Sequence, residues 1–479
     1  MTLSEELATF AAELRFADLP AMVVEDLKLR LLDCLGVSLA ARGLPAPAAV
    51  ARLLRTEAAG GPSTGLDGSG RTSPGAAALV NGTLSHSLDF DDTHLPSIVH
   101  PSAPLVPAVL ATAEATGAGG RELLAALSAG YEVGLRLAQA QYDGRLKNST
   151  LFERGLHATS LIGAPAGAVA CAKLRGLSAA GIADALAIAC SLGSGLIEAN
   201  RTGGTVKPFH CGWAAHGAVV AAELAEAGMT GPPTVLEGRF GFFHAFAGRR
   251  WQAAAVTAQL GHRWDSPSIF FKPYPCNHFT HAVADAALRL RLAGLRPDDV
   301  RSASIGTAGA SLRTIGRPIQ LKRRPTSPQH ARFSAPYVFA AALVGGGGLG
   351  LAREDFSARA IADPARQALS DRCTVVRDES CDAVFPYQFP AVVRVRTRTG
   401  SQIVERVMTT RGGPERPLSA AELTRKLHDN VDGAEALVRA VGDVERAPDV
   451  RELLAAAART LLPAGEPDAD PRLPSGHPE

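Results

Sequence analysis

The chain has 479 residues, enough for two or three domains, and 46% of them are hydrophobic, which allows a large core. Its formal net charge of +2 is too balanced to indicate a nucleic-acid partner or a membrane surface. The seven cysteines form an odd set without any C-x-x-C pair, so they predict a reducing compartment rather than a disulfide framework.

The start of the chain and its apolar runs exclude two further classes. Residues 1–6 read MTLSEE, and their acidic side chains do not fit a secretory signal peptide. No charge-free apolar run reaches the ~18 residues that a membrane-spanning helix needs. We therefore expect a cytoplasmic protein with neither a membrane nor a nucleic acid as partner.

Helix signals dominate the chain from residue 4 to about residue 265. Ser4 is placed to cap the first helix. A second helix is predicted over 19–41, with Pro20 near its start and Gly43 just past its end. Further helices are predicted near 46–58, 75–88, 103–116, 120–140, 159–174, 177–192 and 212–228.

The pattern changes after about residue 268. Strand patterns occupy 300–307, 373–377, 393–398 and 403–408. Gly400 and Ser401 separate the last two, which alternate with period two and therefore predict a hairpin. Helical segments near 279–293 and 334–344 make this region α+β.

Helical signals return at the capping box formed by Ser419 and Glu422. The sequence thus predicts a mainly α protein with an inserted α+β domain. The predicted pieces are a helical domain over 1–267 and 411–462, an α+β domain over 268–410, and a disordered tail over 463–479. Clefts between domains are common ligand sites.

Asp89, Asp91 and Asp92 place three carboxylates within four residues. Such a cluster requires cations, a metal, a helix N-terminus or a shared proton to offset the repulsion. A Mg²⁺ site, a phosphotransfer motif and a solvated acidic turn are the alternatives, but the apolar strand that phosphotransfer needs does not precede Asp89. Three histidines lie nearby and favour proton transfer, because histidine titrates near neutrality: His86, His94 and His100.

Two lysines lie in apolar surroundings, and each is followed by a proline that restricts the backbone. Because an unpaired buried charge is costly, Lys207 and Lys272 predict a paired network or a site for anions. His157 lies at a predicted helix start. His278 and His281 are about one helical turn apart but lack a clear third ligand, so no metal is predicted there.

Several motifs occur in a fixed order along the chain. They are N-G-x3-H-x-L-D-F-D-D-T at 81–93, H-P-S at 100–102, His157, T-V-K-P at 205–208, R-F-G-F at 239–242, K-P-Y-P-C at 272–276 with T-H at 280–281, and R-F-S-x-P-Y at 332–337. In this combination the chain resembles the MmgE/PrpD family, which includes 2-methylcitrate dehydratase, cis-aconitate decarboxylase and iminodisuccinate epimerase. The resemblance covers roughly residues 5–460.

The resemblance implies a helical domain built from both ends of the chain, an α+β lid domain between them and a homodimer. It also implies chemistry without an organic cofactor or an iron–sulfur cluster. Asn277 and Thr314 stand where the decarboxylases of this family have a histidine and a tyrosine in the lid. The loop between Asp89 and His100 is one residue longer than in the animal decarboxylases.

The resemblance to the decarboxylase branch implies that Asp89, His100, His157, Lys207 and Lys272 line the site. The predicted site as a whole contains a catalytic group and a substrate-binding group. The catalytic residues are His100, Asp89 and His157, and the binding residues are Lys207, Lys272, Asp92 and His278. His100 would exchange a proton with carbon, with its pKa expected to allow this near pH 7, while Asp89 orients it or offsets its charge.

The expected activity is that of a cofactor-independent lyase on a small di- or tricarboxylate. Dehydration of a 2-methylcitrate-like acid is the first hypothesis. Decarboxylation of cis-aconitate and epimerisation beside a carboxylate are alternatives, as all three pass through carbanion-like species that cations stabilise. A carboxylate-binding homologue without activity is the non-enzymatic alternative.

Overall fold

The computed structural model describes residues 1–54, 60–202, 204–248 and 250–462, which form a mainly helical protein with small sheets. The predicted disordered tail, 463–479, lies outside the described residues. The end of the helix predicted over 46–58 also lies outside them, and the described helix runs from Pro45 to Leu54. The mainly α fold class is confirmed.

Helices make up most of the first part of the chain. They are α1 (Leu3–Glu13), α2 (Ala21–Ala40), α3 (Pro45–Leu54), α4 (Pro74–Ser85), α5 (Ser102–Thr116), α6 (Gly120–Ala140), α7 (Thr150–Glu153), α8 (Ala158–Leu174), α9 (Ala179–Leu192), α10 (Ala199–Thr202), α11 (Val206–Glu226) and α12 (Ala253–Thr257). Two short hairpins accompany them, β1 (Ser63–Gly65) with β2 (Gly70–Thr72) and β3 (Tyr142–Asp143) with β4 (Asn148–Ser149).

Small residues let helices α4 and α11 approach each other closely. A Cβ atom on Gly82 would lie 2.8 Å from the Cα atom of Gly212, and one on Gly212 would overlap the carbonyl oxygen of Leu79. This contact joins the C-terminal end of α4, capped by His86, to the first turns of α11, which carry Lys207. Backbone contact between the two helices therefore sets the distance between those side chains.

The α+β part contains a four-stranded sheet in the order β6-β5-β7-β8. Its strands are β5 (Val300–Thr307), β6 (Cys373–Arg377), β7 (Ala391–Thr397) and β8 (Gln402–Val407). β5 and β6 are parallel, and the other pairs are antiparallel. The predicted strands and the hairpin are confirmed, with boundaries displaced by at most two residues.

Short helices surround this sheet. They are α13 (His281–Leu292), α14 (Leu312–Ile315), α15 (Ile319–Arg323), α16 (Pro328–Arg332), α17 (Ala335–Val344), α18 (Ala358–Ile361), α19 (Pro364–Asp371) and α20 (Glu379–Val384). Apolar side chains of α13, α17 and the inner sheet face form one core, which Leu95 joins from the helical part of the chain.

The C-terminal helices α21 (Ala420–His428), α22 (Glu435–Gly442) and α23 (Arg451–Ala458) pack against the N-terminal helices. Their apolar residues, among them Leu427, Leu437 and Leu453, share one core with α1, α2 and α5 to α9. The capping box of Ser419 and Glu422 is present at the start of α21. The exact division of the chain into domains at 267, 410 and 462 stays a prediction.

The prediction for Ser4 is wrong. Thr2 caps α1, because its side chain accepts a hydrogen bond from the backbone N–H of Glu5. Ser4 lies inside the helix, and its hydroxyl donates to the carbonyl of Pro233 at 2.6 Å. Ser4 therefore links α1 to the segment between α11 and α12 and does not cap α1.

No single helix in the described part of the chain is both long and apolar enough to cross a membrane. Helices α2 and α3 meet the length and composition test only as a pair, which is bent by 86° at the break between them.

The close contact of α4 with α11 predicts a sharp difference between two glycines of one helix. Gly212→Ala should lower the free energy of unfolding by about 1–3 kcal/mol and reduce activity, because the helices must separate. Gly217→Ala is the control, since its Cβ would meet Leu192 at an ordinary 3.5 Å. Urea unfolding measures both variants, and equal stabilities would contradict the role of the Gly82–Gly212 contact.

Candidate active site

The acidic turn, residues 89–92, is built around a left-handed residue. Asp89 has φ of 53°, a conformation that aspartate tolerates better than most residues. Its carboxylate Oδ1 and its carbonyl oxygen both accept hydrogen bonds from Lys272 Nζ, at 2.9 and 3.0 Å. Lys207 Nζ lies 3.7 Å from the same Oδ1. Burial alone would raise the pKa of Asp89, but the two lysines hold it well below its usual value.

Asp91 pairs with a histidine. His86 Nδ1 lies 2.7 Å from Asp91 Oδ2, and His100 Nδ1 lies 3.7 Å from the same oxygen. Burial would raise the pKa of Asp91, yet both histidines and Lys272 keep it below its usual value. Burial lowers the pKa of His86 despite the neighbouring carboxylate. Asp91 is therefore ionised, and neutral His86 donates its Nδ1 proton to it.

Asp92 belongs to a different network. Arg30 Nη1 donates to its Oδ2 at 3.1 Å, and the backbone and hydroxyl groups of Ser102 donate to both oxygens. Only 1% of the Arg30 side chain is exposed, and its Nε is also paired with Asp26 at 2.8 Å. Burial raises the pKa of Asp92, and Arg30 partly opposes this. Asp92 thus anchors the turn to α2 and α5.

The turn is also held from the C-terminal helices. Lys426 Nζ donates to the carbonyl oxygen of Phe90 at 3.0 Å and lies 3.8 Å from the centroid of its ring. The same ammonium group forms an ion pair with Asp33 at 2.7 Å. The acidic turn is therefore fixed by side chains from α2, α11 and α21 and by Lys272.

A small cavity opens beside the turn. Its polar lining consists of Thr93, His100, His157, Thr159, Asn200, Lys207, Asn277, His278 and Thr314. Its apolar lining consists of Ile98, Phe152, Ala158, Ile197, Phe279, Phe333 and Phe389. Helices α5, α8 and α11 all begin near this space, and the positive ends of their dipoles favour an anion there.

The predicted site residues divide into two groups in space. His100, His157, Lys207 and His278 line the cavity. Asp89, Lys272 and Asp92 lie outside the lining, and the Lys272 side chain is 0% exposed and paired with Asp89. This geometry gives Lys272 and Asp92 a supporting position, and direct contact of either residue with substrate stays a prediction.

Sequence reasoning missed several residues at the site. Thr93, Thr159 and Asn200 line the cavity, but short polar residues leave no signal in a single sequence. Arg30 and Lys426 were also missed, although a charged residue inside an apolar helical stretch is a usable signal. Asn277 and Thr314, the two departures from the resemblance, both line the cavity.

The cavity histidines are held neutral. Burial lowers the pKa of His100 to about 3, with Lys272 acting in the same direction and Asp91 opposing. This pKa lies far below the range in which proton exchange near pH 7 was expected, because burial and two lysines outweigh one carboxylate. His100 Nδ1 donates to the carbonyl of Asp92 at 2.7 Å, which leaves the lone pair on Nε2.

His157 and His278 share this character. Burial, reinforced by neighbouring histidines, lowers both pKa values well below the usual range. His157 Nδ1 lies 3.2 Å from Nδ1 of His210, so one ring donates to the other. Neither ring nitrogen of His278 has a hydrogen-bond partner among the described residues. Buried polar atoms without partners are costly, so His278 is well placed for a ligand.

One group of potential metal ligands occurs in the described part of the chain. Ligand atoms of His86, His157 and Cys211 lie within 4.8 Å of one another. Burial raises the pKa of the Cys211 thiol well above its usual value, so a metal would have to displace its proton. Metal-independent activity stays a prediction.

Two family models match this chain. The MmgE/PrpD N-terminal domain matches residues 5–254, and the MmgE/PrpD C-terminal domain matches residues 274–445. The chain belongs to the MmgE/PrpD family. Together with its relatives, this membership makes it a lyase, of the dehydratase or decarboxylase kind.

Three curated relatives extend the comparison. A cis-aconitate decarboxylase-like protein, oryM, from Aspergillus oryzae is 29% identical over 94% of this chain and 96% of its own. Human cis-aconitate decarboxylase is 31% identical over 79% of this chain and 78% of its own. Cis-aconitate decarboxylase of Aspergillus terreus is 30% identical over 71% of each chain.

The different positions of the two lysines predict different effects of their replacement. Lys207→Met should weaken binding of a tricarboxylate such as citrate by about 1.5–3 kcal/mol, because a charge-assisted contact at the cavity is lost. Lys272→Met should instead lower the free energy of unfolding by about 3–5 kcal/mol, because Asp89 stays buried without its closer partner. Calorimetric titration and urea unfolding separate the two effects. Loss of stability in Lys207→Met together with loss of binding in Lys272→Met would show that Lys207 is the structural lysine and Lys272 the binding one.

His94, in the loop between the acidic turn and His100, predicts a pH effect on stability. Burial lowers its pKa to about 4, partly opposed by Asp265, whereas the unfolded chain has a histidine pKa near 6.5. Between these values only the unfolded chain binds the proton, so the native state loses about 2 kcal/mol by pH 5 through this group.

The variant His94→Gln lacks the titrating group and therefore does not lose this stability on acidification. The unfolding free energy of the variant minus that of the wild type is measured at pH 7.5 and at pH 5. Whatever its value at pH 7.5, this difference should be about 2 kcal/mol more favourable to the variant at pH 5. Denaturant unfolding at both pH values measures the shift. A constant difference would show that His94 keeps an ordinary pKa in the fold.

Proposed function

We propose that the protein decarboxylates cis-aconitate or a closely similar polycarboxylate. The observation that supports this most is the cavity itself, where Lys207 faces neutral His100, His157 and His278 at the starts of three helices. Relatives at about 30% identity carry the name cis-aconitate decarboxylase. They favour this activity over the 2-methylcitrate dehydration that was the first hypothesis from sequence.

The charge balance of the cavity suits a multiply charged anion. Lys207 Nζ is 3.7 Å from Asp89 Oδ1, while Lys272 holds that oxygen at 2.9 Å, so Lys207 is the cation better able to turn to a substrate carboxylate. His278 can donate to a second carboxylate with a ring N–H that has no partner among the described residues.

Decarboxylation breaks one carbon–carbon bond and releases CO₂, and the electron pair of that bond stays on the carbon skeleton. A proton must then be added to carbon. Lys207 and the helix N-termini stabilise the negative charge while it develops. Binding of the anionic substrate also raises the pKa of nearby histidines, because opposite charge favours the imidazolium.

His100 is the proposed proton donor. Its Nδ1–H is fixed on the Asp92 carbonyl, so Nε2 takes up a proton from solvent when the substrate anion arrives and delivers it to the carbon that has lost CO₂. Its backbone N–H is fixed in turn by the hydroxyl of Thr159 at 3.1 Å. Asp89 and Lys272 position this group by shaping the turn that precedes it. The homodimer implied by the family resemblance is part of the proposal.

The activity is tested by offering cis-aconitate and 2-methylcitrate separately and measuring CO₂ release and alkene absorbance. We expect CO₂ from cis-aconitate and no dehydration of 2-methylcitrate. His100→Gln should lower turnover roughly 10²–10⁴-fold while the protein stays folded. His428→Gln, which alters an exposed histidine of α21, is the matched control and should keep full turnover.

Two results would overturn parts of the proposal. Alkene formation from 2-methylcitrate without CO₂ release would identify a dehydratase. Near-wild-type turnover of folded His100→Gln would remove His100 from the proton transfer and leave His157 as the better candidate.

A further inference from the structure

Three side chains of types that commonly bind metal ions meet beside the cavity, and the proposed reaction gives no part to His86 or Cys211. His86 follows the last residue of α4, His157 precedes the first residue of α8, and Cys211 lies in the second turn of α11. Their ligand atoms lie within 4.8 Å of one another. All three residues are buried, and His157 also lines the cavity. His157 therefore connects this cluster with the space that a ligand enters.

Backbone contacts of α11 hold the cluster together. Gly82, one turn before His86 on α4, lies so close that its Cβ would be 3.0 Å from the carbonyl oxygen of Cys211. The hydroxyl of Ser160, in the first turn of α8, donates to the carbonyl of His210 at 2.8 Å. The ends of α4 and α8 are thus fixed against the turn of α11 that carries Cys211.

His86 is oriented as a metal-bound histidine usually is. Its Nδ1 donates to Asp91 Oδ2 at 2.7 Å, which leaves a lone pair on Nε2. That Nε2 is buried and has no hydrogen-bond partner among the described residues. A carboxylate on the other ring nitrogen is the common outer partner of a metal-bound histidine, because it fixes the tautomer and raises the basicity of the ligand atom. A buried nitrogen without a partner is costly, and a metal ion would satisfy it.

His157 has an outer partner of its own. Its Nδ1 lies 3.2 Å from Nδ1 of His210, so one of these rings donates to the other. With His157 as the donor, its Nε2 also keeps a lone pair. The ring centroids of His157 and His86 are 5.4 Å apart. Two neighbouring imidazoles can therefore offer lone pairs to one ion.

Two imidazoles and a thiol select the class of metal. Zn²⁺ lies about 2.0–2.1 Å from nitrogen and about 2.3 Å from sulfur, so tetrahedral geometry separates its ligand atoms by roughly 3.3–3.6 Å. Ligand atoms within 4.8 Å reach that spacing through small side-chain rotations. Mg²⁺ and Ca²⁺ prefer oxygen ligands and do not suit this set. Asp91 adds negative charge beside the Cys211 thiol, and Lys207 opposes a cation there.

We infer that His86, His157 and Cys211 form a Zn²⁺ site that suppresses the activity when the ion is bound. On binding, the S–H bond of Cys211 breaks, its electron pair forms the zinc–sulfur bond, and the proton passes to solvent. The ion occupies the lone pair of His157, and its open fourth position draws a substrate carboxylate away from Lys207. Only the suppression rests on the proposed function, since metal binding itself is independent of the reaction.

The first experiment measures binding to the full chain after a chelator has removed metal. In weakly buffered solution near neutral pH, we expect each chain to retain one Zn²⁺ and release one proton, because both histidines are already neutral. Co²⁺ should produce a thiolate-to-cobalt charge-transfer band in the near ultraviolet, and Mg²⁺ should not be retained. Absence of retained Zn²⁺, or a Co²⁺ complex without the thiolate band, would overturn the inference.

The second experiment uses two matched cysteine variants. Cys211→Ala should weaken Zn²⁺ binding by more than the roughly 10–100-fold that loss of an outer partner costs, and it should abolish the thiolate band. Cys190→Ala removes a thiol that is also buried in a helix but lies outside the cluster, and it should bind Zn²⁺ as the wild type does. Equal affinities in the two variants would show that Cys211 is not a ligand. If Cys211→Ala does not fold, proton release and the Co²⁺ band of the wild type decide the question.

A third experiment tests the suppression separately. Protein loaded with one equivalent of Zn²⁺ and then desalted should lose most of its CO₂ release from cis-aconitate, and a chelator should restore it. Cys211→Ala treated in the same way should keep its activity. Full activity with Zn²⁺ still bound would overturn the suppression. If the metal-free protein releases no CO₂ from any polycarboxylate, the proposed decarboxylation is wrong, while retained Zn²⁺ and the Co²⁺ band still decide the metal site.

Discussion

Neutralisation of the acidic turn is the interaction on which the rest of the structure depends. Three carboxylates within four residues repel one another, and each is met by a different group. Lys272 and Lys207 bind Asp89, His86 binds Asp91, and Arg30 binds Asp92. Lys426 adds a contact to the carbonyl and ring of Phe90. All of these partners except His86 are distant in sequence, so the turn has its full set of partners only when segments from both parts of the chain are assembled.

The same arrangement sets the chemical state of the cavity. The carboxylates of Asp89 and Asp91 stay ionised, since cations or histidine hold their pKa values down. The histidines beside them stay neutral, since burial disfavours their charged form more than one carboxylate favours it. An anion entering this space meets a lysine, three helix N-termini and several imidazole rings ready to accept a proton. The site therefore favours a ligand that brings negative charge with it.

Much of the fold could be predicted from local patterns, because those patterns reflect local physics. Period-two alternation placed the hairpin of β7 and β8, and proline and glycine marked the ends of α2. The sequence motifs predicted His100, His157, Lys207 and His278 as site residues, and all four line one cavity. Partners distant in sequence could not be predicted, such as Lys426 for Phe90, since no local pattern encodes them. The direction of the His100 pKa shift could not be predicted either, because it depends on how completely the fold excludes water.

The position of Lys426 near the C-terminal end of the chain has a consequence for folding during synthesis. Synthesis proceeds from the N-terminus, and the acidic turn leaves the ribosome more than three hundred residues before α21 does. During that interval the turn gains Lys207 first, then Lys272 and only at the end Lys426. The apolar faces of α2 and α6 meanwhile lack the helices that later cover them. Contacts of such high sequence separation are slow to form. The nascent chain must therefore stay protected from aggregation until nearly all of it has been made, and a truncated product would retain an exposed core.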